Sequence, residues 1–371
     1  MSQETLQDRA PDRSRKRFPQ ISSRAYEHPA DRAALTALRK LNGFDLLLRK
    51  LGGLIGGRRI RLLLLANAVQ VSERQFPRLD TLLTDACEIL DIPERPGMFV
   101  MQSPGVNAMT IGLDKPMIVL TTGLVELLDE EELRFVVGHE VGHAFSGHAV
   151  YRTMLLWLMN LSGVIGWLPG GEMGIRALIL ALMEWFRKAE LSSDRAGLLV
   201  GQDIEAAVRT QMKMAGGAHV HEMNPMAFLD QAREYESGGD IGDSLLKLSF
   251  LLDARRPQTH PFPSVRALEL TRWIETGGYS RVLAGEYPRR GDDPTASATN
   301  DAKEAADAYA ESVKNSGDPL MAKVREFARD AAGIGDRIGG AMYRRWGQRP
   351  EDREPGENDA DEGSSPEDSD E

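Results

Sequence analysis

The chain has 371 residues, 42% of them hydrophobic, and a formal net charge of −11, which is enough apolar material for a full core with appendages. The acidity is local: residues 351–371 hold eleven acids and a single base, Arg353, leaving −1 for the other 350 residues, so nucleic-acid binding is not indicated and the charge says nothing about an active site. Cys87 is the only cysteine, which excludes an intrachain disulfide and suits a reducing compartment.

Residues 1–24 are polar, lack the apolar run of a secretory signal, and are expected to be disordered. Together with Cys87 this points to the cytoplasm, or to a membrane surface facing it. From 25 to 90, leucine-rich runs broken by Gly52-Gly53 and Gly56-Gly57 predict helices. Met98 to Gln102, Val106 to Ile111 and Pro116 to Thr121 are short, β-rich and separated by Gly or Pro, which predicts a small antiparallel sheet.

A helix start follows, because Leu127-Leu128-Asp129-Glu130-Glu131-Glu132-Leu133 places carboxylates where a helix N-terminus favours them. It leads into His139-Glu140-Val141-Gly142-His143, in which Glu140 is the one formal charge between Val136 and Phe145. On a helix the two histidines share a face, so both imidazoles reach one metal ion. Glu140, turned about 100° around the axis, falls beside a water on that ion. Two ligands and a general base from one turn are what a zinc hydrolase requires.

The third ligand must come from elsewhere. His148 lies nine residues beyond His139, one short of the metzincin spacing, and Ser146 stands where that pattern has glycine; it reads as a helix-end residue. His219 and His221, in Gly216-Gly217-Ala218-His219-Val220-His221, have suitable chemistry but only spacing in their favour. Glu190 is the strongest candidate. Glu190 and Asp194 are four apart, so two like charges share a helix face at a cost of a few tenths of a kcal/mol. A cation on Glu190 and a ligand imidazole donating to Asp194 would remove that cost.

Residues 154–171 carry no charge, and 177–186 add a second apolar run. A membrane span needs about twenty apolar residues, but Asn160, Pro169 and Gly170-Gly171 interrupt this one. A buried helical hairpin capping the core is therefore expected, with peripheral membrane contact through 154–186 as the alternative. Past Gly291 a linker leads to Leu320, Val324, Phe327, Ala331, Ile334, Ile338 and Ala341, a heptad seam. This amphipathic helix within 291–346 would dock on the main domain, on a partner helix or on an anionic membrane. The acidic residues 347–371 are expected to be disordered.

The two-histidine motif, followed 47 residues later by Glu190-Leu191-Ser192-Ser193-Asp194, resembles the gluzincin zinc metallopeptidases of the HtpX and type 1 CAAX-prenyl-protease family. Val106-Asn107-Ala108-Met109-Thr110 resembles that family's Asn-Ala edge strand, and Thr259-His260-Pro261-Phe262-Pro263-Ser264-Val265-Arg266 its late His-Pro…Arg motif. The resemblance covers about residues 70–290, with the motifs in family order. It implies an α+β, predominantly helical, zincin-like core with a small antiparallel sheet next to the zinc helix. The metallopeptidase domain would span 25–290, as N-terminal helices (25–90) and a catalytic core (91–290). One Zn²⁺ per chain would be held by His139, His143 and Glu190, with Glu140 as general base and Asp194 and Arg266 in support. By the same resemblance His260 is the oxyanion donor, and Asn107 and Ala108 lie along a polypeptide substrate. A zinc-dependent metalloendopeptidase of protein quality control is the expectation. Two other readings stand beside it: a catalytically silent, zinc-stabilised interaction module, and a membrane-associated protease requiring lipid.

Overall fold

The computed structural model describes residues 14–32, 35, 57–113, 115–165, 171–237 and 262–295. His260, the heptad seam at 320–341 and the acidic tail lie outside them.

Helix α1 (Gly57–Asn67) leads into a short strand, β1 (Val69–Gln70), within a stretch expected to be helical. Helix α2 (Pro77–Ile89) starts with proline in its first turn, where a missing N–H costs nothing. Its Leu79, Leu82, Leu83, Ala86, Cys87 and Ile89 recur at helical spacing and are all buried. Strands β2 (Gly97–Met101), β3 (Ala108–Ile111) and β4 (Met117–Thr121) follow, and the sheet order is β1-β2-β4-β3.

β1 and β2 pair antiparallel, as do β3 and β4, but the central pair β2 and β4 is parallel. The sheet is therefore mixed where an antiparallel one was expected. The reason is topological: β3 and β4 form a hairpin, and β4, the strand buried at every position, inserts between β3 and β2. Being buried on both faces, β4 reads as a continuous apolar run, while β3 alternates buried and half-buried residues as an edge strand does.

After α3 (Thr122–Leu127) comes α4 (Glu130–Phe145), capped reciprocally by Asp129 and Glu132, with Glu130, Glu131 and Glu132 in its first turn. Every residue of α4 from Glu132 to His143 is buried. The buried Glu132 is met by Arg209 at 3.1 Å and Lys213 at 2.6 Å, both from α7 (Ile204–Gly216). Helices α5 (His148–Ile165) and α6 (Gly171–Gly201) form the expected hairpin, and α8 (Pro225–Ser237), α9 (Pro263–Glu275) and α10 (Gly278–Ala284) follow.

Helices α4 and α6 cross unusually closely. A Cβ added at Gly138 would lie 2.5 Å from Val200 Cβ, and one at Gly142 would lie 2.6 Å from Ala196 Cβ. Glycine at both positions lets the backbones approach and carries Glu190 and Asp194 of α6 to the histidine face of α4. Two apolar clusters flank this crossing. The main one joins α2, the sheet, α4 and the C-terminal half of α6; the other joins α5 to α6 through Met154, Leu155, Leu158, Leu182, Met183, Trp185 and Phe186.

Part of the N-terminal stretch expected to be disordered is packed. Phe18 and Ile21 are fully buried in the main cluster, and the Phe18 N–H donates to the Ile89 carbonyl at 2.8 Å. Two apolar side chains suffice to dock this segment because backbone pairing and the Arg15–Glu131 ion pair support them. No described helix is long and apolar enough to cross a membrane.

Candidate metal centre

His139 and His143 sit one turn apart on α4, 4% and 1% exposed, and their Nε2 atoms are 3.1 Å apart. Glu190 of α6 is fully buried opposite them, with Oε1 3.1 Å from His143 Nε2 and Oε2 3.5 Å from His139 Nε2. These residues fit a divalent ion. Tetrahedral coordination with bonds of about 2.0–2.1 Å sets neighbouring donor atoms about 3.3–3.4 Å apart; the two Nε2 atoms are 3.1 Å apart and the carboxylate turns one oxygen toward each of them, at 3.1 and 3.5 Å. Two imidazole nitrogens and a carboxylate oxygen that converge in a buried site also need a cation or a proton between them.

Glu140 is 1% exposed. Its carboxylate accepts from the Thr110 hydroxyl at 2.6 Å, and its backbone carbonyl lies 3.0 Å from the same hydroxyl. Thr110 belongs to β3, so the edge strand is tied to the carboxylate next to the ligands. Ala108 opens that strand opposite Leu120. Asn107, just before it, has its N–H and carbonyl held by Thr121.

The far nitrogen of each imidazole has its own partner. His139 Nδ1 lies 3.0 Å from Asp194 Oδ1, and Asp194 is gripped by Arg266 of α9, Nε at 2.8 Å and Nη2 at 2.5 Å. Arg266 Nη1 also lies 3.5 Å from Glu190. His143 Nδ1 lies 3.1 Å from Nδ1 of His148, whose Nε2 is 3.2 Å from Asp31. His148 thus lies behind His143 rather than among the three converging donors. His219 and His221 form a separate exposed group with Glu222.

Electrostatics separates the two imidazoles. Burial lowers the His139 pKa, but hydrogen bonds to Asp194 and Glu190 outweigh it and raise the group to about 9. Burial prevails at His143 and lowers it to about 4 despite Glu190. For Asp194, burial pushes the carboxyl up and the Arg266 guanidinium more than reverses it, holding the group below its usual range.

The structure brings Glu190, Asp194 and Arg266 to the histidine pair; His260 lies outside the described residues. The sequence reading missed Thr110 and Asp31; it took His148 as a helix-end residue, which it is, the first of α5, but without its contact to His143. Inward-facing polarity on an otherwise apolar strand was the available signal for Thr110. Asp31 had none, because it lies more than a hundred residues from His148 in sequence.

Two helix-borne imidazoles, a carboxylate from the crossing helix and a second carboxylate beside them define a zincin-like, metal-dependent hydrolase. The comparisons agree: the model of peptidase family M48 matches residues 73–274. A protein of Arabidopsis thaliana named plastoglobule-localized metallopeptidase 48, chloroplastic, is 36% identical over 278 residues, covering 72% of this chain and 77% of that protein. A protease HtpX homolog of Streptococcus pyogenes serotype M5 (strain Manfredo) is 34% identical over 79 residues, 21% of this chain and 26% of that protein. No solved structure matches. The chain belongs to peptidase family M48 and is an HtpX-like metalloprotease.

Proposed function

We propose that the chain is a zinc-dependent endopeptidase in which His139, His143 and Glu190 hold the ion and Glu140 moves the proton. The observation that carries this reading is the buried convergence of those three donors beside Glu140. Zinc, when bound there, supplies an acidified water and a polarised carbonyl. Glu140 takes the proton of the attacking water and hands it to the leaving amine. Thr110 holds the Glu140 carboxylate in place, and Arg266 holds Asp194 against His139.

Among the described strands β3 pairs only with β4, so an extended polypeptide adding beside Asn107 and Ala108 would be positioned by backbone pairing to Ala108, the Asn107 backbone being held by Thr121, and read little by sequence. That suits removal of misfolded proteins. His260 remains our candidate oxyanion donor by resemblance, three residues before the helix that carries Arg266. The test is Glu140→Gln: casein cleavage should vanish while one zinc per chain is retained. Undiminished cleavage would overturn the reading.

A peripheral, lipid-facing form of the same enzyme has its own observation. Helix α1 buries no residue; Leu62, Leu63 and Leu65 are 56%, 58% and 43% exposed, and Arg58, Arg59 and Arg61 are exposed beside them with no acid in the helix. Apolar side chains flanked by guanidinium groups fit an anionic lipid surface. The described apolar residues of 154–186 lie mostly buried, so we place the contact on α1. The cytoplasm, or a membrane surface facing it, remains our proposed location. Cys87 is consistent with it: a buried thiol raised to about 11 by burial.

A further inference from the structure

We propose that His148 and Asp31 are a positioning pair for the ligand His143, the counterpart of Asp194 and Arg266 behind His139; the inference rests on the metal reading above. For His143 Nε2 to offer its lone pair toward Glu190, the ring must carry its hydrogen on Nδ1. The acceptor for that hydrogen is His148 Nδ1, 3.1 Å away. With Nδ1 accepting, His148 carries its own hydrogen on Nε2, which faces Asp31 Oδ2 at 3.2 Å. Asp31 in turn accepts from the Ser192 hydroxyl at 2.6 Å and the Trp185 indole N–H at 2.9 Å. Every hydrogen along Asp31–His148–His143 is assigned without conflict.

Burial and packing fix the chain in place. Asp31 and His148 are each 2% exposed, so neither trades its partner for water. His143 stacks on Phe186 at 5.5 Å with a 9° interplanar angle, and His148 meets Trp185 edge-on. Ring plane and tautomer of His143 are therefore both set from behind. Such outer partners of a ligand imidazole typically carry a 10–100-fold effect on metal affinity.

The test uses the full chain, stripped of metal and titrated with Zn²⁺ against a chromophoric chelator. His148→Leu should weaken zinc affinity about 10–100-fold. His148→Asn, whose amide oxygen occupies the place of Nδ1, should recover most of it, and Asp31→Leu should lose it again. In zinc-loaded protein labelled with 15N-histidine, the His143 Nδ1 hydrogen should exchange slowly in the wild type and in His148→Asn, and fast in His148→Leu. Equal affinities in all four proteins would overturn the proposal. So would a loss in His148→Leu that the asparagine variant does not recover while the Nδ1 hydrogen stays slow, because the residue would then only fill space. A wild type that takes up no zinc would overturn the ligand assignment together with the pair behind it, an outcome distinct from both.

Discussion

Thr110 shows how much a single hydroxyl contributes at this centre. It is fully buried and donates to the Glu140 carboxylate at 2.6 Å, so it holds the proposed proton carrier at a fixed distance from the ligands. Removing one partner of a buried, charged acceptor costs about 1–3 kcal/mol. Thr110→Val, which keeps the shape and deletes the donor, is expected to lower kcat about tenfold or more, a change of about 1.4 kcal/mol in barrier. KM and zinc content should stay unchanged, because the ligands are untouched. A fall in metal content instead would make Thr110 a structural residue. The site residues that were legible in the sequence are those whose signal is local: His139 and His143 through helical spacing, Glu190 and Asp194 through an otherwise costly pair of like charges. Asp31 and Thr110 reach the site only through tertiary contact, where spacing is silent.

At the scale of elements, the crossing of α4 and α6 decides whether the proposed ligands meet. Gly142→Ala places a methyl group 2.6 Å from Ala196 Cβ, well inside van der Waals contact. The helices must separate, at a cost of about 1–3 kcal/mol for overpacking. Because His143 is the next residue, zinc affinity should fall along with stability, and denaturant unfolding with zinc titration checks both.

The strap at 26–32 that carries Asp31 depends on a different tie. Its His28 lies 3.6 Å from Glu269 of α9. Burial pushes the Glu269 carboxyl up, but His28 and Arg272 outweigh it and bring the group down to about 2 from 4.5. A depressed carboxyl stabilises the fold above its unfolded pKa and loses that contribution as pH falls toward the folded one. Burial lowers the pKa of His28 itself, so near pH 6 the Arg272 pair carries the tie, and the wild type should exceed Glu269→Gln there by on the order of 1 kcal/mol, after discounting for partial exposure. The difference should shrink between about pH 4.5 and 2, and unfolding curves across that range test it. At this scale the helix bearing the histidines could be placed from its acidic start. The parallel pairing of β2 with β4 could not, since it arises from where a hairpin inserts rather than from any pattern within a strand.

For the whole molecule the open matter is what α1 faces. Among the described residues, helices α2, α4, α6, α8 and α9 place leucines in buried clusters, whereas α1 leaves Leu62, Leu63 and Leu65 outward beside three exposed arginines. Leaving three leucines in water forgoes about 1.5–3 kcal/mol for each one that could be fully buried, and half-insertion into an interface would recover part of that. Each arginine near an anionic surface adds about 1 kcal/mol at moderate ionic strength. The protein is therefore expected to float with vesicles containing phosphatidylserine and to float less with pure phosphatidylcholine. Added salt should weaken the association, because the arginine term is screened. Leu62→Glu with Leu63→Glu should abolish flotation while casein cleavage in solution persists, since α1 supplies none of the centre's residues. Loss of a dimer in sedimentation without any vesicle binding would instead mean that a second copy of the chain covers the face. Equal flotation with both lipids would remove the arginines from the argument and leave the leucines alone.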